Sequence, residues 1–241
     1  MADREAPFRH ELKYIVSDAQ AAAIAVRLSP LMRRDPHVGG TGKYTIRSLY
    51  FDDFDNSCYY ENENGVDPRE KLRIRIYNGS DSRISLECKR KERGKTLKTA
   101  CRLTRREADV LISGGILPAD SGRAEPLAKL TAGILLRRMH PVTIVEYVRE
   151  PFVCAEGNVR ITLDTNISSS SAIGEFFSRD IPLRPIMPTG MQLLEVKYDA
   201  FLPDVIYRAL SPDGLRQTAF SKFYLCRKFS LQREAYIHEI H

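Results

Sequence analysis

Hydrophobic and charged residues alternate along several stretches of this chain with a period of two residues. Residues 71–77 read Lys-Leu-Arg-Ile-Arg-Ile-Tyr, so Lys71, Arg73 and Arg75 share one face and aliphatic side chains share the other. A period of two is typical of a β-strand whose two faces have different surroundings. We therefore predict a strand here, with a basic face and an apolar face.

The same alternation, or a run of β-branched and aromatic residues, predicts further strands. They cover residues 8–16, 43–52, 83–91, 99–103, 142–153, 159–164 and 191–198. Capping residues and apolar stripes predict a helix that begins at residue 17 and ends near residue 28 or 32, and further helices over residues 104–113, 126–139, 203–210 and 221–233. Residues 92–99 and 168–190 are predicted to be connections. Because hairpins join neighbouring strands and each strand has one apolar face, the sequence predicts an antiparallel α+β fold.

The apolar faces of the predicted strands need cover, which the apolar stripes of the helices can provide from outside. The opposite faces would then line an interior. These faces carry nine cations and four carboxylates, a surplus of five positive charges: Arg9, Lys13, Arg73, Arg75, Lys89, Lys91, Arg149, Arg160 and Lys197 against Glu11, Glu87, Asp164 and Glu195.

Like charges in a partly desolvated channel repel each other by on the order of several kcal/mol per close pair. An interior of this kind needs a polyanion to relieve the repulsion, and arginine suits bidentate contact with phosphate. The alternation alone leaves a second interpretation open. In that interpretation the sheet is open and its basic face is simply solvated.

The composition narrows the class of protein. The 241 residues carry a net charge of +6, which favours an anionic partner without selecting one. The five cysteines are scattered and never spaced as C-x-x-C, which indicates reduced thiols and neither a disulfide framework nor a zinc site. The N-terminus lacks the apolar segment of a signal peptide, and the longest apolar run, residues 21–26, is too short to span a membrane. We therefore expect a soluble, cytoplasmic protein without a membrane segment.

Several kinds of chemistry are disfavoured by the sequence. The glycines at 39–42 precede Lys43, but a P-loop would need Ser or Thr where Tyr44 stands. Nothing resembles a Ser-His-Asp or Cys-His arrangement, which argues against covalent catalysis. An aromatic platform for RNA is not evident either, so we expect no nucleic-acid partner.

Eight motifs, in the order in which they occur here, resemble the VTC domain. This domain is the catalytic module of the vacuolar transporter chaperone polyphosphate polymerase, a branch of the triphosphate tunnel metalloenzymes in the CYTH-like superfamily. The resemblance covers residues 8–230. The motifs are FRHELKY at 8–14, YTIRSLYFD at 44–52, KLRIR at 71–75, LECK at 86–89, EYVR at 146–149, RITLD at 160–164, LEVK at 194–197 and SKF at 221–223.

The resemblance implies an antiparallel β-barrel tunnel with helices packed on its outside, formed by a single domain over residues 1–241. It implies a metal-dependent phosphotransferase in which the end of a polyphosphate chain attacks the γ-phosphorus of ATP and releases ADP. ATP and inorganic polyphosphate or triphosphate would be the ligands, and Mn²⁺ or Mg²⁺ the cofactor. Phosphoryl transfer mainly needs positioning and charge neutralisation, which a ring of arginine and lysine side chains can supply.

The matching motifs also imply roles for individual residues. Glu195 is the expected metal ligand. The expected catalytic residues are Arg73, Arg75, Lys222 and Glu195. The expected phosphate-binding residues are Lys13, Arg73, Arg75, Lys89, Lys98, Arg149, Arg160, Lys197 and Lys222. The other carboxylates of the charged faces, Glu11, Glu87 and Asp164, are expected to orient basic groups through salt bridges.

One departure from the tunnel-enzyme pattern bears on the reaction. Many tunnel enzymes begin with Glu-x-Glu-x-Lys, whereas Arg9 occupies the first position here, followed by Glu11 and Lys13. The missing carboxylate favours one metal ion over two, and it argues against a hydrolase that positions water with several acids. Two alternatives stay open: a tunnel triphosphatase acting on inorganic or organic triphosphate, and a non-catalytic protein that binds polyphosphate or nucleotide.

Overall fold

The computed structural model describes residues 8–35, 38–118, 124–210 and 214–240. The strands of this part of the chain are β1 His10–Ser17, β2 Arg33–Arg34, β3 Tyr44–Asp52, β4 Arg69–Tyr77, β5 Ser80–Glu92, β6 Lys95–Leu103, β7 His140–Cys154, β8 Val159–Ser170, β9 Arg184–Pro185 and β10 Met191–Tyr198. Its helices are α1 Asp18–Leu28, α2 Ser57–Glu63, α3 Arg105–Ile112, α4 Glu125–Arg137, α5 Asp204–Leu210 and α6 Lys222–Ile240. Within the described residues, no helix is long and apolar enough to cross a membrane.

The strands form one antiparallel sheet that curls until its two ends meet. Eight strands follow the order β1-β10-β8-β7-β3-β4-β5-β6, while β2 pairs with β7 and β9 with β8. At the two ends of this order, Arg9 and Thr96 exchange two backbone hydrogen bonds of 2.9 Å each. Further along β1, the Thr218 N–H donates to the Lys13 carbonyl at 2.9 Å. A loop segment therefore lies beside β1 where β6 no longer pairs with it.

Helices cover the outer, apolar face of this sheet. One core cluster joins apolar residues of β3, β4, β5 and β7 to helices α3, α4 and α6, and a second joins β1, β8 and β10 to α1 and α5. Leu72, Ile74 and Ile76 of β4 are all buried in the first cluster. The prediction of an antiparallel α+β tunnel fold with its helices outside is confirmed.

Two predicted helix starts have the predicted capping geometry. The Ser17 hydroxyl accepts a hydrogen bond from the Gln20 N–H at 3.2 Å, and the Gln20 side chain accepts one from the Ser17 N–H at 2.9 Å. Thr104 and Glu107 make the same reciprocal pair at the start of α3. These bonds satisfy backbone N–H groups that would otherwise lack partners in the first helical turn.

The predicted connections at 92–99 and 168–190 are partly wrong. Strand β6 already begins at Lys95, because Arg93 and Gly94 both have positive φ angles, 48° and 76°, and form a two-residue hairpin turn. Strand β8 continues to Ser170 and pairs with β7 and with the short strand β9. Its last residues are mostly serines, which give little strand signal by themselves.

Candidate active site

The inner face of the curled sheet encloses a cavity of about 740 Å³. Every residue for which the sequence predicted a catalytic, phosphate-binding or metal-binding role lines this cavity: Lys13, Arg73, Arg75, Lys89, Lys98, Arg149, Arg160, Glu195, Lys197 and Lys222. For the residues on strands, the alternation explains this convergence, because each strand directs its charged face inward and its apolar face toward the helices. Lys222 instead reaches the cavity from the first turn of α6.

Glu195 of β10 lies at the centre of one group of cations. Its Oε1 accepts a hydrogen bond of 2.8 Å from Lys222 Nζ, and its Oε2 lies 3.3 Å from Arg149 and 3.4 Å from Lys197. Lys13, which is directly opposite Glu195 in the pairing of β1 with β10, lies 3.9 Å away. Burial opposes ionisation of Glu195, yet these cations hold its pKa well below the usual value.

Asp164 of β8 contacts two cations of the same group, Arg149 and Lys222. Arg149 and Asp164 are paired across β7 and β8, and the guanidinium donates two bonds of 2.7 Å to the carboxylate. Lys222 lies 2.7 Å from the second Asp164 oxygen. Burial disfavours the charge of Lys222, but Asp164 and Glu195 raise the pKa of Lys222 above its usual value. Both cations are therefore held in fixed positions and fully charged.

Glu87 of β5 is the centre of a second group. Arg73 donates to it from Nη2 at 2.7 Å and from Nε at 2.9 Å. Lys98 lies at 3.1 Å and Arg75 at 3.5 Å. Burial opposes ionisation of Glu87, but Arg75, Arg73 and Lys98 lower its pKa far below the usual value. Glu87 therefore orients basic groups, as the sequence analysis expected.

Glu11 of β1 holds two lysines. Lys89 Nζ lies 2.8 Å and 3.0 Å from the two carboxylate oxygens, and Lys13 Nζ lies 3.0 Å from one of them. Burial, with Lys13 and Lys197 nearby, lowers the pKa of Lys89 to about 8, although Glu11 opposes this shift. Lys89 therefore differs from Lys222, because one neighbouring carboxylate does not offset the burial and the positive neighbours.

The family comparison agrees with this arrangement. The sequence matches the VTC domain over residues 8–230. The chain belongs to the VTC domain family.

Solved structures of low sequence identity were compared with this VTC domain, and one with a TM-score above 0.5 shares its fold. A proposed adenylyl cyclase from Hippeastrum, described as having a dominant triphosphatase activity, has a TM-score of 0.54 and 14% identity, covering 92% of this chain and 96% of that chain. A proposed adenylate cyclase from Bacillus halodurans has a TM-score of 0.49 and 16% identity, covering 86% and 88%. A comparison with curated proteins gives no match. At 14% identity, the likeness to the Hippeastrum protein concerns the fold alone.

Arg160 stands apart from the cations that Glu195, Glu87 and Glu11 hold in this VTC domain. It lies 2.7 Å from Asp35 and donates to the Tyr44 hydroxyl at 2.9 Å. Its side chain is 34% exposed, whereas that of Arg149 is 8% exposed. Arg160 lines the cavity but does not share a carboxylate with the other predicted residues.

Two features of the cavity wall have no role among the predictions made from the sequence. Tyr147 places its hydroxyl 3.4 Å from Arg75 Nη2, and its ring centroid lies 4.7 Å from Lys222 Nζ. It shares the inner face of β7 with Arg149, so the alternation could have identified it. The segment 217–221 also lines the cavity, and its Phe220 carbonyl accepts a bond of 2.8 Å from Lys13. No hydrophobic periodicity or motif in residues 217–220 predicted that this segment would line the cavity.

The carboxylates determine which kind of metal site this VTC domain can offer. Among the described residues, no three His, Cys, Asp or Glu side chains are grouped closely enough to hold an ion by themselves. Mg²⁺ is usually bound by one or two carboxylates together with substrate phosphates and water. Glu195 faces the cavity and fits that kind of site. The donors present do not fit a cage built by the protein alone.

Proposed function

We propose that this VTC domain is a metal-assisted phosphotransferase that extends polyphosphate with the γ-phosphate of ATP. The observation that carries the proposal is the charge of the cavity wall. Among the described residues, thirteen lysine and arginine side chains line the cavity, against two carboxylates, Glu11 and Glu195. A wall with this excess of fixed donors suits a chain of phosphates, because every unit of the chain carries negative charge and its oxygens can accept hydrogen bonds from several of the cations.

The reaction needs positioning more than it needs proton transfer. A terminal phosphate oxygen of the polyphosphate forms a bond to the γ-phosphorus, the bond from that phosphorus to the β,γ-bridging oxygen breaks, and ADP leaves. The attacking oxygen is already ionised, so no residue has to remove a proton from it. Arg73 and Arg75 of β4 and Lys222 of α6 would neutralise the charge that spreads over the transferred group.

Ion pairs within the wall would make that neutralisation effective. Glu87 fixes Arg73, and Asp164 with Glu195 fixes Lys222, so these donors need no reorganisation when the phosphates arrive. Glu195 would also hold the divalent ion. A bound Mn²⁺ or Mg²⁺ supplies further neutralisation of phosphate charge.

The state of the carboxylates favours transfer to phosphate over hydrolysis. Hydrolysis requires a group that orients and deprotonates water. Glu11 is engaged by Lys13 and Lys89, and Glu195 is engaged by Lys222 and Arg149. Lys89 and Lys13 contact the Glu11 oxygens that would have to bind a water molecule. Glu195 would be committed to the divalent ion, so neither carboxylate is placed to deprotonate water.

Incubation of the protein with ATP and Mn²⁺, followed by assay of both polyphosphate and free phosphate, tests the proposal. Long-chain product supports it. Free phosphate without polyphosphate would indicate a triphosphatase, and tight binding without either product would indicate a non-catalytic binder. Glu195→Gln should abolish synthesis. Lys129→Met should leave synthesis unchanged, because Lys129 pairs with Glu70 on the outer side of β4.

A further inference from the structure

The inner face of the β4–β5 hairpin carries two successive cross-strand pairs of cations. Arg69 lies directly opposite Lys91, and Lys71 lies directly opposite Lys89. All four side chains line the cavity. Like charges that face each other across two strands destabilise a hairpin. This arrangement therefore costs stability in the protein alone.

The outer face of the same hairpin is built differently. Between the two inner pairs, Glu70 lies opposite Arg90 and makes an ion pair of 3.8 Å with it. Lys129 of α4 approaches the same carboxylate at 2.6 Å. The hairpin thus has complementary charges where it faces the helices and like charges where it faces the cavity.

Three of the four inner cations also differ from the residues assigned to the reaction. Lys71 donates to the neutral oxygens of Asn62 at 2.6 Å and Ser221 at 3.1 Å. Within the part of the chain that the structure describes, Arg69, Lys71 and Lys91 make no salt bridge to a carboxylate. Each cation of the reaction centre, in contrast, shares at least one carboxylate.

The pKa shifts of Lys71 and Lys91 agree with an unrelieved repulsion among the inner cations of the hairpin. Burial lowers the pKa of Lys71 well below its usual value, and Lys89, Lys13 and Arg69 lower it further. Burial followed by Arg69 and Lys13 also lowers the pKa of Lys91. A polyanion at this position would reverse these shifts, because its charge compensates both the lost hydration and the neighbouring cations.

We infer that Arg69, Lys71 and Lys91 form a chain-binding subsite for the phosphates of linear polyphosphate that lie beyond the reacting triphosphate. The inference rests on the proposed function. Residues of one strand face are two positions apart, so the two cation pairs are separated by about 6.8 Å along the hairpin. This repeat of positive charge suits a ligand that carries a negative charge on every unit. The subsite gives the tunnel a preference for long polyphosphate chains.

Titration calorimetry with inorganic tripolyphosphate and with size-fractionated long-chain polyphosphate tests the inference. The double variant Lys71→Met/Lys91→Met keeps an unbranched side chain that is one atom shorter at each position and removes both charges. We expect it to weaken binding of long-chain polyphosphate roughly ten- to hundred-fold, because charge-assisted hydrogen bonds are lost. Binding of tripolyphosphate should change little.

Two further variants test whether the change in affinity comes from the lost charge or from the altered shape of the side chains. Lys71→Arg/Lys91→Arg should restore the affinity for long chains, and Lys129→Met should change neither affinity. An equal loss of affinity for both ligands in the methionine variant would place these lysines in the reaction centre and overturn the inference. An unchanged affinity for both ligands would also overturn it. If the wild-type protein bound no tripolyphosphate, the proposed function itself would fail. Thermal unfolding of each variant verifies that it is folded.

Discussion

Lys222 Nζ donates a hydrogen bond of 2.8 Å to Glu195 Oε1, and both side chains are buried. This bond ties the first turn of α6 to the inner face of β10. The same ammonium lies 2.7 Å from Asp164 of β8. The position of α6 over the tunnel therefore depends on the charges of the cavity wall as well as on apolar packing.

Removal of Lys222 should destabilise the fold. Lys222→Met removes the ion pair of 2.7 Å with Asp164 and the hydrogen bond of 2.8 Å with Glu195, so each of these buried carboxylates loses one of its charged partners. Breaking a buried ion pair in this way costs about 3–5 kcal/mol. The free energy of unfolding in urea measures the loss. Lys129→Met removes a partly exposed pair and should cost about 1 kcal/mol or less, and a similarly small loss for Lys222→Met would contradict the structural role.

Acid should weaken the fold through Glu87. Its pKa is far lower in the folded protein than the ordinary value of 4.5, so below about pH 4.5 the unfolded chain binds the proton more readily. The stability from its ion pairs is fully present above that pH and is lost as the pH falls further. Urea unfolding at a series of acidic pH values should show this decline, and Glu87→Gln should flatten it. An unchanged slope in the variant would count against the prediction.

Ligand affinity should fall as the pH rises through about 8, because Lys89 loses its proton there. Bound phosphate favours the charged form, so binding near this pH should take up a proton. Calorimetry with tripolyphosphate in buffers of different ionisation enthalpy measures that uptake. Lys89→Arg stays charged throughout this range and should keep its affinity above pH 8. The prediction is wrong if the wild-type protein and Lys89→Arg respond to pH alike.

Arg75→Ala should reduce turnover by about 10²–10³-fold, the typical cost of removing one preorganised donor. Arg75 lies on the inner face of β4 and contacts Ser48, Tyr147 and Glu87. The rate of polyphosphate synthesis measures the effect. Arg102→Ala is the matched control, since Arg102 is an exposed residue of β6 that does not line the cavity. Equal rates in the two variants would remove Arg75 from the reaction centre.

Chelation of divalent metal should stop synthesis, and added Mn²⁺ or Mg²⁺ should restore it. We also expect Glu195→Gln to bind less Mn²⁺ in the presence of tripolyphosphate, because an amide is a weaker ligand for a hard cation than a carboxylate. Paramagnetic broadening of the phosphate resonances by Mn²⁺ reports this binding without turnover. Synthesis that persists in excess chelator would contradict the role of the metal.

The strands and their faces could be predicted well from sequence. Strand β10 has the predicted bounds, and β4 begins two residues before its predicted start. The burial of Leu72, Ile74 and Ile76, with Arg73 and Arg75 on the other face, follows from alternation alone. The single domain over residues 1–241 stays a prediction.

The pairing of charges could not be predicted in the same way. Glu87 meets Lys98 eleven positions later, but Glu11 meets Lys89 across 78 positions. Such distant partners depend on which strands become neighbours and in which register. The alternation also gave no sign that Lys71 would face neutral oxygens while Lys89, directly opposite, faces a carboxylate.

The sequence by itself determined that several strands have one basic and one apolar face, because side-chain direction in a strand depends only on local backbone geometry. Only the tertiary structure decided whether the basic faces form a solvated open sheet or line an enclosed cavity. The bridge between Arg9 and Thr96, together with the segment 217–221 beside β1, encloses the basic faces. These contacts join parts of the chain that are far apart in sequence, so no local pattern could specify them.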